Sequence, residues 1–149
     1  MLVLLPEFDD HGNLPAGIHA ATWDELVARY GSSARRLSLL AGLKQALDSL
    51  RAAGCQRAYV DGSFVTDKAN PQDFDGCWEV AGVDPGSLDP ELLDFSNRRA
   101  AQQAKYGGEL FPADLDADPA GARFLDYFQH DKTTGKPKGI VVLDLGDLP

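Results

Sequence analysis

Apolar residues recur at helical spacing early in the chain and alternate with polar residues later, and this change of period predicts the elements. Thr22 followed three residues on by Glu25 forms a capping box, after which Trp23, Leu26, Val27 and Tyr30 share one helical face until Gly31. Ser32 or Ser33 caps a second, longer helix with Leu37, Leu40, Leu43, Leu47 and Leu50 as its stripe and Gly54 as its end. Residues 57–61 read as a short strand running into Gly62-Ser63. Over residues 74–80, Phe74, Gly76, Trp78 and Val80 alternate with Asp75, Cys77 and Glu79, the period of a strand whose two faces differ in polarity. A mostly polar helix is expected over residues 90–105, and residues 109–115 read as a third strand that Pro112 places near an edge. Asp118 and Pro119 open a helix burying Phe124, Leu125 and Phe128, and a turn at 133–137 leads to a last strand at 139–144.

Before these elements, residues 1–21 read as a strand-like start followed by an extended arm rich in Gly and Pro. The whole predicts one domain over residues 1–149, of α/β (α+β) class, with a mixed sheet of about four strands and helices mainly on one face. At 149 residues, with 44% hydrophobic and 25% charged positions, the chain has the composition of a soluble globular domain. No apolar run approaches the length of a membrane span, and the apolar start lacks a basic lead, so a cytoplasmic protein without a membrane partner is expected. Cys55 and Cys77 make no disulfide framework or zinc pattern and are expected to be buried, and His11, His19 and His130 have no ligand partner at helical spacing.

A net charge of −9 argues against an extended nucleic-acid surface, because phosphate neutralisation needs clustered Lys and Arg. The 23 acids comprise eighteen Asp and five Glu, a bias toward turns, caps and hard-cation ligands. The informative stretch is Asp61-Gly62-Ser63, nine residues from Phe64 through Gln72, then Asp73-Phe74-Asp75. Strand alternation puts Asp73 and Asp75 on one face, about 7 Å apart along the chain, where two like charges call for a cation. Mg²⁺ suits them, since it takes a few carboxylate oxygens and completes its shell with water and phosphate. Gly62 lets backbone approach a phosphate closely, and Ser63 offers it a hydroxyl and an N–H. Lys132, Lys136 and Lys138 around the Gly135 turn read as a solvated hairpin tip.

This stretch resembles the signature of the nucleotidyltransferase superfamily with the DNA polymerase beta type fold: a Gly-Ser turn ending a strand, about ten residues, Asp-x-Asp on the next strand and a third acid on a later one. The long helix before it and the helix after the second strand match the element order of the superfamily's minimal members. Together with residues 12–19, 61–68 and Lys138-Gly139-Ile140-Val141, it resembles a group of small bacterial proteins placed in that superfamily. The resemblance implies that Gly62 and Ser63 bind a nucleoside triphosphate and that Asp73, Asp75 and Asp114 hold Mg²⁺ and carry catalysis. Asp116 and Asp144 stay open as the third acid. It also implies transfer of a nucleoside monophosphate to a hydroxyl of a protein, a small molecule or an RNA end, in a setting such as a toxin–antitoxin or defence system. Where many minimal members carry Arg-Gly shortly after Gly-Ser, this chain has Thr66-Asp67, an acid that would repel a triphosphate unless turned away. That departure keeps a rival open, a nucleotide-binding or protein-interaction module that has lost turnover.

Overall fold

The computed structural model describes residues 5–149, so all of the strand-like start but Leu5 lies outside the described residues. Five strands form one mixed sheet: β1 (Gly17–Ala21), β2 (Arg57–Asp61), β3 (Phe74–Trp78), β4 (Gly108–Pro112) and β5 (Gly139–Asp144), in the order β1-β5-β2-β3-β4. β1 runs parallel to β5 and β3 parallel to β4, whereas β2 is antiparallel to both its neighbours. The expected count of four strands is thus one short. The missing strand is β1, inside what reads as an arm; it is an edge strand with little of its surface buried, so it carries no alternating apolar signal.

Three helices cover one face: α1 (Trp23–Tyr30), α2 (Ala34–Ala52) and α3 (Ser96–Tyr106). Thr22 and Glu25 close the capping box of α1, and the Ser33 side chain accepts from the Arg36 N–H to cap α2. α2 buries Leu39, Leu40, Leu43, Leu47 and Leu50 against Ala58, Val60, Phe74, Leu110, Val141 and Leu143 of the sheet. Leu37, expected in that stripe, is 51% exposed, and the same turn buries Arg36 instead. α2 and α3 meet closely at Gly42, where a Cβ would stand 1.7 Å from the Tyr106 carbonyl oxygen. The opposite face carries a smaller cluster of Tyr59, Cys77, Ile140 and Phe128, completed by Phe111 and the short α4 (Phe124–Tyr127).

Two helices differ from expectation. Residues 90–105 split into a single 3₁₀ turn, Pro90–Leu93, and α3, because Asp94 accepts from the Ser96 N–H and hydroxyl and breaks the run. The backbone then makes a left-handed turn at Asn97, Arg98 and Arg99, with φ of 51°, 56° and 59°. The helix expected from Asp118 is reduced to α4, since the Asp118 side chain accepts from Ala122 N–H and closes a loop rather than capping a helix. β3 and β4 end at Trp78 and Pro112, short of the expected Val80 and Leu115. Among the described residues no helix is long and apolar enough to cross a membrane.

Candidate functional site

The pairing of three strands assembles a row of carboxylates. Asp61, the last residue of β2, lies opposite Asp75 on β3, and Asp75 lies opposite Glu109 on β4. Residues opposite one another in a ladder point to the same face, so the three carboxylates stand abreast on strands spaced about 5 Å apart. Asp73, two residues before Asp75, belongs to that face as well. It is the face away from α1 and α2, shared with Tyr59 and Cys77.

Each outer acid has a partner. Lys138 Nζ, just ahead of β5, is 2.8 Å from Asp61 Oδ1, and Arg99 Nε from α3 is 3.3 Å from Glu109 Oε1. Gln103 Nε2 donates to Asp73 Oδ2 at 3.0 Å. Asp75, in the centre, has no hydrogen bond or ion pair among the described residues. Burial, and after it the negative charge of Asp73, pushes the Asp75 carboxyl up to about 7; Glu109 and Asp61 add to the rise and Lys132 opposes it. Burial also raises the carboxyl of Asp61, which is 2% exposed, against the pull of Lys138.

Gly62 follows Asp61 with φ of 88°, a conformation that favours glycine, and a Cβ there would stand 2.9 Å from Asp75 Oδ2. The turn therefore passes directly against the central acid and delivers Ser63 beside it. The Ser63 carbonyl is tied back by the Thr66 hydroxyl at 2.6 Å, whereas the Ser63 hydroxyl has no partner among the described residues.

The nine residues between Ser63 and Asp73 are held from below by α2. Arg36, buried, donates to the carbonyls of Phe64 at 2.6 Å, Thr66 at 2.9 Å and Lys68, with its guanidinium near the rings of Tyr30 and Phe64. Tyr30 Oη donates to the Val65 carbonyl at 3.0 Å, and Arg35 donates to the carbonyls of Pro71 and Gln72. Burial lowers the Arg36 pKa, yet the bonds are those of a charged donor to backbone acceptors. The Asp67 N–H donates to the Gly12 carbonyl at 3.0 Å, which ties this residue to the N-terminal arm.

Of the residues the sequence singles out, Gly62, Ser63, Asp73 and Asp75 come together. Asp114 does not: it lies in the turn after β4, beyond the end where Pro112 pairs with Trp78, whereas Glu109 lies near the other end of the strand. Asp116 faces Arg123 at 3.8 Å, and Asp144 pairs in register with Arg57, at the opposite end of β2 from Asp61, and caps the final turn of the chain. The acid that joins the pair from a later strand is Glu109, which parallel register selects and residue order alone does not. Lys138, expected at a solvated hairpin tip, is only 15% exposed because it turns onto the buried Asp61 carboxylate, and the roles of Asp61, Arg99 and Arg36 also escape sequence reasoning. Only Asp61 leaves a signal, since it alternates onto the same face of β2 as Tyr59.

A family model described as a family of unknown function, DUF6932, matches residues 6–144. The chain belongs to that family. The match spans the sheet and every residue of the carboxylate row. Comparison with curated proteins and with solved structures gives no match.

In this DUF6932 chain the acids beside Asp75 offer carboxylate oxygens, the chemistry of a hard cation such as Mg²⁺. Among the described residues no group of three or more His, Cys, Asp or Glu side chains is placed to hold a metal ion. Asp73 and Asp75 fit the role best, because one is held only by a neutral amide and the other is unpartnered. Glu109 is held by Arg99, whose side chain is 36% exposed.

Proposed function

We propose that this protein is a Mg²⁺-dependent nucleotidyltransferase-like protein that transfers a nucleoside monophosphate from a nucleoside triphosphate to an acceptor hydroxyl. The observation that carries the reading is the contact between the Gly62-Ser63 turn and Asp75: a glycine turn packs directly against an unpartnered carboxylate on the neighbouring antiparallel strand. The fold type implied is the nucleotidyltransferase one, with β2, β3 and β4 as the strands that carry the acids and Glu109 in the place of the third acid.

Asp73 and Asp75, joined by Glu109, would hold the Mg²⁺, which supplies activation of the acceptor hydroxyl and stabilisation of the leaving pyrophosphate. Ser63 binds a phosphate oxygen through its free hydroxyl and N–H, and Gly62 keeps that approach open. Arg36 and Tyr30 keep the turn in place by holding the carbonyls behind it. In the transfer, the acceptor hydroxyl gives up its proton to solvent, its oxygen bonds to the α-phosphorus and the bond from that phosphorus to the bridging oxygen breaks, pyrophosphate leaving with the electron pair. With an acidic surface, the acceptor is a hydroxyl presented singly, on a protein, a small molecule or an RNA end. The toxin–antitoxin setting belongs to this proposal and rests on the resemblance alone, and the cytoplasmic setting belongs to it on the sequence reading above.

One observation favours the rival, a nucleotide-binding or interaction module without turnover: Lys138 and Arg99 already neutralise two of the acids. Pyrophosphate release separates the two. With Mg²⁺, a triphosphate and a range of hydroxyl acceptors, the transferase releases pyrophosphate and an Asp73→Asn, Asp75→Asn double variant does not. Triphosphate binding with no release from the wild type in any mixture would leave the module.

A further inference from the structure

The carboxylate row is bounded by a cation at each end. Across β5, β2, β3, β4 and α3 the order is Lys138, Asp61, Asp75, Glu109, Arg99, and only the central acid stands unpaired. The Lys138 pair is the firmer, at 2.8 Å with side chains 15% and 3% exposed; the Arg99 pair is looser, at 3.3 Å and 36% and 14%. The Lys138 backbone is itself fixed, its N–H donating to the Gln129 carbonyl at 2.8 Å. Four acids, Asp61, Asp73, Asp75 and Glu109, face Lys138 and Arg99, so carboxylates outnumber the paired cations, and Lys132 adds a positive charge nearby that reduces the excess.

We propose that Lys138 and Arg99 are built-in counter-cations of the site, competing with divalent ions for Asp61 and Glu109, so that the free protein takes a single divalent ion at Asp73 and Asp75. The inference rests on the metal-binding reading above and deepens it. Asp61, despite standing in the row, is then a partner of Lys138 and not a metal ligand, whereas Glu109 is a ligand in reserve behind Arg99. The two outer acids differ because the Lys138 pair is the more enclosed and the Arg99 side chain is 36% exposed, where an ion pair is weaker and more readily exchanged.

The probe is Mn²⁺ alone, titrated into metal-free protein and followed by the loss of its free-ion electron paramagnetic resonance signal. The wild type is expected to take one ion per chain, and Asp75→Asn none. Lys138→Met frees Asp61 and is expected to bind at least tenfold more tightly or to take a second ion; the Asp61→Asn, Lys138→Met double variant, which removes the pair together, returns to within about threefold of the wild type. Arg99→Met acts at the more exposed end, stays folded even where loss of Lys138 unsettles the core, and is expected to tighten binding several-fold. Two ions in the wild type, or unchanged affinity in both Lys138→Met and Arg99→Met, would overturn the counter-cation proposal and leave the metal-binding reading intact. No Mn²⁺ uptake by any of these proteins would overturn both.

Discussion

Asp75 is the residue on which the site's chemistry converges, and its environment can be read by titration. Its carboxyl stands at about 7 in the folded chain against an ordinary 3.8, raised by burial and by Asp73, Glu109 and Asp61, with Lys132 opposing. The unfolded chain gives up this proton near pH 4 and the folded chain only near pH 7, so the carboxyl costs increasing stability as pH rises between those values. In metal-free protein, Asp75→Asn should therefore match the wild type below pH 4 and become progressively more stable than it up to and beyond pH 7, as seen in denaturant melts across that range. A constant difference would place Asp75 in a solvated setting. Arg36 makes a second residue-scale prediction. Arg36→Met strands the carbonyls of Phe64, Thr66 and Lys68, and should cost about 3 kcal/mol in chemical denaturation, with Arg36→Lys recovering part of it. The third concerns the acid on the later strand: Glu109→Gln should weaken Mg²⁺-dependent triphosphate binding about tenfold, and Asp114→Asn should leave it unchanged.

At the scale of elements, what decides the site is register. α1, α2, β2, β3 and β5 are legible in the sequence because each has a cap, a stripe or an alternation of its own, and Gly62-Ser63 and Asp73-x-Asp75 sit at their junctions. β1 is not legible, since an edge strand whose residues are mostly exposed has no burial to pattern it. Nor is the choice of Glu109 over Asp114: both flank or lie on β4, and only its parallel pairing with β3 decides which one faces Asp75. Arg36 is hidden for another reason, because a polar residue on an apolar face reads as solvent-facing until the carbonyls it satisfies are in place. The α2–α3 contact yields a prediction at this scale. Gly42→Ala places a methyl group where the Tyr106 carbonyl stands, and separating the helices should cost about 3 kcal/mol; because α3 carries Gln103 and Arg99, metal affinity should shift with it. A variant with wild-type stability would show that the two helices are free to part.

The whole molecule divides its labour between the two faces of one sheet. One face is covered by α1, α2 and α3 around the main core, and the other is only partly covered, by α4 and the chain leading to β5, which leaves the carboxylate row beside the aromatic cluster of Phe111, Phe124 and Phe128. A chain of net charge −9 that gathers four of its acids in one place spends scarce cations, Lys138 and Arg99, to hold them together. Such a molecule attracts a triphosphate only with a divalent ion between. Calorimetric titration of each of the four common nucleoside triphosphates into the wild type, with and without Mg²⁺, and into the Asp73→Asn, Asp75→Asn variant decides whether the carboxylate row is a metal–nucleotide site. A metal–nucleotide site gives saturable binding of at least one triphosphate that requires both the ion and the two aspartates. Binding that survives without Mg²⁺ or in the double variant, or no binding of any of the four, would contradict it.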